Sequence, residues 1–202
     1  MKNIWKKTLA DFLEEASSDA PTPGGGSVSA VTASMGFALV LMAVKVSEKK
    51  QHNELSNLLE EGNNILNKIK KHADEDIRVF NEYMQALKLP KNNKSEIEIR
   101  RECISKASII STKEPLSLCR DIIEALDFTQ RSIHLISNNI ISDTKAGALI
   151  LNSSLVASSL NVDINIPFIK DLQTSEMLDS EKKQYIKTSK IIIEKIINYQ
   201  ND

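Results

Sequence analysis

Apolar residues recur at helical spacing along most of the chain. Between about residues 53 and 87 they form one continuous stripe, with Ile65 and Ile69 a single turn apart near its middle. Shorter stretches with the same period lie at residues 8–16 and 180–199. Because this period places apolar side chains on one face of an α-helix, the pattern predicts a protein built from amphipathic helices, one of them very long.

Two more segments are apolar on most sides and rich in small residues. The first covers about residues 28–46 and carries Ala33 and Gly36 on one face, and the second covers about residues 146–158. Since small side chains let two helices approach closely, we expect these two helices to pack against each other in the core.

Prolines and alternating residues predict where the helices end. Pro90 should end the long helix, and Pro115 should kink or divide the helix that begins after Ser95, because proline has no N–H to donate. The alternation of apolar and polar residues at 162–167 predicts an extended surface segment. With no linker and no repeat, residues 1–202 are expected to form one all-α domain, a bundle of long helices.

Charge and composition narrow the classes of function. The chain has 26 Lys and Arg against 27 Asp and Glu, a net charge of −1, so no overall field favours nucleic acid or an acidic membrane. Cys103 and Cys119 form no CxxC motif and are expected to be reduced core thiols. The N-terminus lacks the apolar core of a signal peptide. We therefore expect a cytoplasmic protein that binds no nucleic acid.

One segment, residues 27–44, carries no charge over about the length that a bilayer requires. Much of it is Ser, Thr, Ala and Gly, and no second segment of the same kind stands out to pair with it. A helix that is apolar on all sides is buried either in a protein core or in a membrane. We interpret this one as the buried central helix of a protein with no membrane partner.

The string PTPGGGS at residues 21–27 precedes that helix. Three successive glycines remove every Cβ, so a ligand or another backbone can contact the main chain there. Ser27 is an N-cap candidate, and the free amides beyond it suit an anionic or carbonyl-bearing ligand. The alternative is a tight entry turn into a buried helix. The string lacks the Gly-Lys-Ser/Thr of a P-loop and the glycine spacing of a dinucleotide-binding motif.

Asp76 interrupts the apolar stripe of the long helix, four residues before Phe80. A carboxyl group among apolar neighbours must find a partner or undergo a rise in pKa, and both outcomes are typical of a catalytic acid or base. The alternative is a buried structural acid that caps a neighbouring helix. His72, one turn earlier, either forms a proton relay with Asp76 or is a histidine beside an acid at the surface.

Ser142 and Asp143 stand where the second small-residue helix is expected to start. Plain N-capping explains this pair. The alternative is that the polar loop before the helix opens a site, as the glycine string does. The histidines and acidic residues do not form the Glu-x-x-His pairs on two helices that a di-metal bundle needs, so we expect no metal.

Taken in order, these motifs resemble those of the cyclodeaminase/cyclohydrolase family, which includes the cyclodeaminase part of formiminotransferase-cyclodeaminase and separate methenyltetrahydrofolate cyclohydrolases. The resemblance covers about residues 8–175, and PTPGGGS is its most specific match. The other matching motifs include DED at residues 74–76, Pro115-Leu116, Asn139 with Ser142-Asp143, and Leu160-Asn161-Val162 with Ile164-Asn165. The positions that depart from the family pattern are Val44, Glu48, Ile77 and Val79.

The resemblance implies an all-α homodimeric enzyme that acts on a one-carbon adduct of tetrahydrofolate and needs no cofactor beyond that substrate. It implies acid/base roles for Asp143, as the main residue, and for Asp76. The residues implied to line the substrate site are Pro23, Gly24, Gly25, Gly26, Ser27, Asn139 and Ser142. Two reactions remain open, cyclodeamination of formiminotetrahydrofolate and hydrolysis of methenyltetrahydrofolate. The alternative is a folate-binding or interaction protein of the same helical fold without turnover.

Overall fold

Long α-helices make up nearly all of the structure. The computed structural model describes residues 3–51 and 55–200, and helix accounts for 87% of the chain, with no strand in these ranges. In chain order the helices are α1 (Leu9–Ala16), α2 (Gly25–Gln51), α3 (Ser56–Leu87), α4 (Lys94–Ser132), α5 (Ile141–Asn165) and α6 (Leu172–Asn198). The predicted all-α bundle is confirmed. The start of the long helix, predicted at residue 53, lies outside the described residues.

The first and last helices are capped by their own sequence. Thr8 accepts a hydrogen bond from the amide of Asp11, and its own amide donates to the Asp11 carboxylate, which caps α1. Asp171 accepts a hydrogen bond from the Thr174 amide at 2.8 Å, so α6 starts at Leu172. The start predicted at residue 180 is therefore wrong, because the capping residue lies earlier in the chain than the regular apolar spacing.

The two small-residue helices, α2 and α5, form an antiparallel pair at the centre of the bundle. A Cβ added to Gly147 would lie 2.4 Å from the carbonyl oxygen of Gly36, so the two backbones approach too closely for any side chain there. Nearer the start of α2, Gly25 lies against Asn161 close to the end of α5. The predicted packing of these two helices against each other is confirmed.

Helices α3 and α4 pack against this pair and enclose the main hydrophobic core. Phe37 of α2 and Phe128 of α4 meet edge to face, with ring centroids 5.4 Å apart. Gly62 lets α3 come close to α2, since a Cβ there would lie 2.3 Å from Cδ2 of Leu41. A smaller cluster between α4, α5 and α6 contains Leu116, Val162, Ile169 and Leu178.

Helix α4 runs unbroken through Pro115, so the division predicted there is wrong. A proline inside a helix leaves the carbonyl group four residues earlier without its usual partner. That carbonyl, on Ser111, accepts a hydrogen bond from Nδ2 of Asn165 at 2.8 Å. A side chain of α5 thus replaces the missing backbone bond, and the helix continues.

The extended segment predicted at residues 162–167 is also wrong. Helix α5 continues to Asn165, and a short 3-10 helix follows at Ile166–Phe168. Val162 is fully buried in the smaller apolar cluster, and Asn165 is bonded to α4. These tertiary contacts favour helix over the extended conformation that the alternating pattern indicates.

Two helical segments, not one, are long and apolar enough to cross a membrane by length and composition alone. They are Gly25–Lys49, whose apolar window is 67% buried inside the protein, and Asn138–Phe168, whose window is 44% buried. The expectation that the first segment has no second of its kind is therefore wrong. The outward sides of α2 and α5 expose large apolar side chains, namely Val28, Met35, Leu149, Val156, Leu160 and Ile164.

Candidate active site

A cleft of about 400 Å³ opens where the start of α2 meets α3, α4 and the end of α5. Its walls combine glycine backbone, aromatic rings, two carboxyl groups and the side chains of two asparagines. Apolar walls with a few converging polar groups are typical of a small-molecule site. The cleft therefore contains the candidate active site.

Asp76 reaches the cleft from α3 and contacts the glycine string. Its Oδ2 accepts hydrogen bonds from the amide and from the hydroxyl of Ser27, both at 2.9 Å. Because α2 begins at Gly25, the Ser27 amide is one of the first-turn donors that have no partner within the helix. The prediction that Ser27 is the N-cap is wrong, since Asp76 supplies the capping oxygen from a second helix.

Gly26 makes this contact sterically possible. A Cβ added to Gly26 would lie 2.1 Å from Oδ1 of Asp76 and 2.5 Å from its Cγ. The nearest atoms to a Cβ on Gly24 or on Gly25 are 3.6 Å away, which is ordinary van der Waals contact. Of the three glycines, Gly26 is the one that the Asp76 carboxyl group requires.

Burial raises the pKa of Asp76, and the hydrogen bonds from Ser27 oppose that rise only in part. An aspartic acid with a raised pKa keeps its proton to a higher pH and can donate it in a reaction. The two interpretations of Asp76 are thus compatible, because the residue caps α2 and also presents an acid to the cleft.

Aromatic rings form much of the apolar wall. Phe80 follows Asp76 by one turn of α3, and the rings of Tyr83 and Phe168 have their centroids 6.5 Å apart. Val79, one of the departures from the family pattern, lines the same wall. A flat heteroaromatic ligand buries the most area against such rings.

Two polar atoms on side chains that line the cleft have no hydrogen-bond partner within the described residues. They are Oγ of Ser111 and Nδ2 of Asn161, and both are buried. A buried polar group without a partner costs on the order of 1–3 kcal/mol. A ligand that bonds these atoms removes that cost, so the pair indicates a cleft that receives a polar ligand.

A buried charged network lies beside Asp76. His72, one turn earlier on α3, places Nδ1 2.6 Å from Oε1 of Glu114 and Nε2 3.0 Å from Oδ2 of Asp121. Burial by itself lowers the pKa of His72, but the hydrogen bonds to Asp121 and Glu114 outweigh burial and raise this pKa to about 9. Both predicted roles of His72 are wrong, because the ring is buried and pairs with α4 rather than with Asp76.

The remaining predicted residues lie towards the opposite end of α5. Asn139 and Ser142 are exposed and Asp143 is half-buried, in and just before the first turn of this helix. Asp143 and Asn161 are eighteen residues apart on α5, which corresponds to about 27 Å along a helix. Within one chain, the structure therefore does not bring Asp143, Asn139 or Ser142 to the cleft that holds Asp76.

Of the predicted substrate-binding residues, three glycines, Gly24, Gly25 and Gly26, line the cleft. Pro23 and Ser27 are buried and do not belong to the described lining. The lining residues that sequence reasoning missed as site residues include Ser111, Glu114 and Asn161. Asn161 could have been identified from the sequence, because it belongs to one of the motifs that match the family. The spacing of residues did not indicate Glu114.

Among residues 3–51 and 55–200, no three His, Cys, Asp or Glu side chains are grouped so as to hold a metal ion. His52 lies outside the described residues. The expectation that the protein needs no metal therefore stays a prediction.

The fold and the cleft together define a class of protein. It is an all-α protein with a cleft in which a half-buried aspartic acid lies over a glycine-rich helix start. The model of the family described as formiminotransferase-cyclodeaminase matches residues 8–184. The chain belongs to this family.

Individual relatives agree with this assignment. A methenyltetrahydrofolate cyclohydrolase of Methylorubrum extorquens is 31% identical over 84% of both chains. A formimidoyltransferase-cyclodeaminase of Gallus gallus is 28% identical over 88% of this chain and 34% of its own length, so this chain spans about a third of that protein. The crystal structure of a formiminotetrahydrofolate cyclodeaminase from Thermotoga maritima has the same fold, with a TM-score of 0.84 at 21% identity, covering 96% of this chain and 95% of that one.

Proposed function

We propose that this protein is an enzyme that acts on the one-carbon unit of tetrahydrofolate. The observation that carries the proposal is the cleft, in which Asp76 lies over the start of α2 beside the unpartnered side chains of Ser111 and Asn161. The relatives support it, because the cyclohydrolase from Methylorubrum extorquens and the cyclodeaminase from Thermotoga maritima are named for reactions at this carbon.

Both reactions pass through a tetrahedral carbon. In hydrolysis, water attacks the methenyl bridge carbon and one C–N bond then opens to give the formyl compound. In cyclodeamination, the aniline nitrogen of the folate attacks the formimino carbon and ammonia leaves. Each reaction needs one group to take a proton from the nucleophile and another to give a proton to the departing nitrogen. Since its raised pKa keeps it protonated to a higher pH, Asp76 is suited to the second role.

We further propose a homodimer that forms through the outer face of α2 and α5. Between Gly25 and Lys45 on α2 there is no charged residue, and there is none between Lys145 and Asp163 on α5. The large apolar side chains exposed on this face include Val28, Met35, Leu149, Val156 and Leu160. An uncharged apolar face on two adjacent helices suits contact with the same face of a second copy.

In the proposed dimer, Asp143 can take part in the reaction from the second copy. If the two-fold axis runs across the helices, opposite ends of the two copies lie side by side. Asp143 of one copy, with Asn139 and Ser142, then lies next to the cleft that holds Asp76 of the other. In this arrangement Asp143 takes the proton from the nucleophile, and each cleft uses residues from both copies.

The test of the function is the absorbance of the methenyl group after purified protein is added to each substrate. Loss of absorbance above the spontaneous rate with methenyltetrahydrofolate identifies a cyclohydrolase. Gain of absorbance with release of ammonia from formiminotetrahydrofolate identifies a cyclodeaminase. Folded protein that binds folate tightly and changes neither absorbance overturns the enzymatic proposal and supports the folate-binding alternative.

A further inference from the structure

Glu114 is the second carboxyl group that lines the cleft, and the proton transfers proposed above do not use it. It comes from α4, and its side chain is only 13% exposed. Asp76 is bonded to the neutral groups of Ser27, whereas Glu114 is bonded to a histidine. A carboxylate is stable in such a buried place only when it is paired and hydrogen-bonded. The partner of Glu114 therefore indicates that this side chain meets a ligand as a carboxylate.

His72 and Asp121 hold Glu114 in place. His72 bridges the two acids, with Nδ1 2.6 Å from Glu114 and Nε2 3.0 Å from Asp121. Asp121 also accepts a hydrogen bond from Nε of Arg120 at 3.2 Å. Because the pKa of His72 is raised to about 9, its ring is cationic at neutral pH and forms an ion pair with Glu114. The cleft therefore contains a carboxylate with fixed orientation, in addition to the acid Asp76.

Glu114 and Asp76 line the same cleft, and the histidine that holds Glu114 lies one turn before Asp76 on α3. His72, which contacts Glu114, precedes Asp76 by four residues, a rise of about 6 Å. The pterin ring system of tetrahydrofolate carries the reacting nitrogen N5 on one ring, and its 2-amino group and N3–H at the far edge of the other. With one carboxyl group on α3 and the other on α4, the cleft offers one acid to each end of a pterin.

We propose that Glu114 binds the 2-amino group and the N3–H of the pterin ring, while Asp76 faces the one-carbon unit. These two N–H groups point in the same direction, which matches the two oxygens of one carboxylate. Glu114 is then a specificity-determining residue, and His72 and Asp121 are positioning residues. The inference rests on the proposed function, since it takes the ligand to be a tetrahydrofolate.

The rest of the cleft complements the same ring. Phe80 and Tyr83 of α3 offer aromatic surface to a flat heterocycle. Nδ2 of Asn161 is a donor without a partner within the part of the chain that the structure describes, and the 4-oxo group next to N3–H is an acceptor. Ser111 precedes Glu114 by three residues on α4, so its unpartnered hydroxyl lies on the same side of that helix.

The experiment measures the binding of 5-formyltetrahydrofolate and of its analogue with a methyl group in place of the 2-amino group, by titration calorimetry at neutral pH. Wild-type protein should bind the analogue about 100-fold more weakly, because a hydrogen bond to a charged group is lost. Glu114→Gln should weaken binding of 5-formyltetrahydrofolate about 10-fold and reduce the difference between the two ligands to about 3-fold.

Glu124→Gln is the matched control. Glu124 lies on the same helix, is ion-paired with Lys68 at 2.8 Å, and lies outside the cleft lining, so both affinities should stay at the wild-type values. Asp121→Asn tests the positioning role. Without this acid His72 loses one of its two carboxylate partners, and the difference between the ligands should fall about 3- to 10-fold. An unchanged difference in Asp121→Asn overturns that role.

The remaining outcomes separate this inference from the proposed function. In turnover assays, Glu114→Gln should raise KM more than it lowers kcat, and a fall in kcat at constant KM overturns the inference in favour of proton transfer by Glu114. Equal binding of the two ligands by wild-type protein also overturns it. Discrimination between the ligands without turnover of either substrate supports the inference and overturns the proposed function. Failure to bind 5-formyltetrahydrofolate overturns both.

Discussion

The two ends of the α2–α5 pair use similar residues in different ways. At the cleft end, Ser111 and Asn161 each have a buried polar atom without a partner among residues 3–51 and 55–200, and burial raises the pKa of Asp76. At the far end, the Ser137 amide donates to the Ser47 hydroxyl at 2.9 Å. Oγ1 of Thr144 at the far end also lacks a partner within the described residues, but Thr144 lies outside the cleft lining. At the cleft end, by contrast, the residues with unpartnered atoms line the cleft beside Asp76.

This difference shows that residue type does not distinguish a site from a helix start. Both ends have serine and aspartate beside an apolar helix rich in small residues. At the far end Lys145 even helps to complete another helix, since its Nζ donates to the carbonyl groups of Ile197 and Tyr199 at 2.8 Å near the end of α6. The proposed dimer allows residues of both ends to contribute to one site, because it places the far end of one copy beside the cleft of the other.

The prediction with the largest expected effect tests whether residues of the two ends act together across a dimer. Asp76→Asn and Asp143→Asn should each lower kcat by a factor of about 10² to 10⁴, as expected when a general acid or base is lost. When the two variants are co-expressed, about a quarter of the wild-type activity should return, because about half of the dimers are mixed and each mixed dimer has one intact site. The methenyl absorbance assay measures the recovery.

Asp127→Asn is the control for this experiment. Asp127 is exposed, is bonded to Arg131 on α4 and lies outside the cleft lining, so its variant should keep full activity. Full activity of Asp143→Asn contradicts a role for the far end. Inactive single variants that recover nothing when co-expressed contradict the assignment of the two aspartates to different copies.

The second prediction concerns a variant that disrupts the cleft end without removing any polar group. Gly26→Ala should lower kcat about 100-fold, because the new Cβ would lie 2.1 Å from Oδ1 of Asp76 and displace the acid. Gly24→Ala is the comparison: Gly24 lines the cleft, so its new methyl group should raise KM, but its Cβ meets the Pro21 carbonyl oxygen at 3.6 Å rather than Asp76, so kcat should stay near the wild-type value. Steady-state kinetics measures kcat for both variants. Equal kcat values would rule out the steric role of Gly26.

The third prediction uses the titration of the buried network. The pKa of His72 is raised from 6.5 to about 9 in the folded protein, so its contribution to stability is complete below pH 6.5 and is lost as the pH rises through 9. This shift corresponds to roughly 3 kcal/mol. The free energy of unfolding in urea should fall by that order between pH 6 and pH 9.5.

Two variants check that His72 causes the fall. His72→Gln should remove most of this pH dependence, and His134→Gln should keep it, because His134 is an exposed histidine near the far end of the helix pair. If His72→Gln unfolds with the same pH dependence as the wild type, another group is responsible and the buried ion pairs are not what stabilises this end.

The prediction with the smallest expected effect compares two asparagines on α5, each with one buried side-chain atom that has no hydrogen-bond partner within the described residues. Asn161→Ala should raise KM about 10-fold, because a hydrogen bond to the ligand is lost, while the free energy of unfolding changes by about 0.5 kcal/mol or less. Asn152→Ala is the control, since its Oδ1 also lacks a partner but the residue lies outside the cleft. A similar rise in KM for both variants contradicts direct contact between Asn161 and the ligand.

The parts of the fold that the sequence predicts are those set by contacts between near neighbours in the chain. The spacing of Ile65 and Ile69 predicts α3, and Asp76 stands out because it interrupts that stripe. The small residues around Gly36 and Gly147 predict the central pair, since only small side chains permit the observed approach. Periodicity and size are properties of the sequence itself, so these features need no knowledge of the fold.

The parts that the sequence does not predict depend on distant partners. Helix α4 continues past Pro115 because Asn165 bonds the freed carbonyl of Ser111, 54 residues away in the chain. The ion pair between His72 and Glu114 joins residues 42 positions apart. The separation of Asp143 from the cleft follows from the length of α5, which runs from Ile141 to Asn165. Each of these depends on which elements become neighbours.

The side-chain bridge at Pro115 has a consequence for motion. A helix normally opens from its ends, but α4 has a weak point in its interior, where one side-chain hydrogen bond from Asn165 replaces a backbone bond. Both Pro115 and Asn165 line the cleft. Amide hydrogen exchange around this point therefore reports on the occupancy of the cleft, and a bound ligand should slow exchange there.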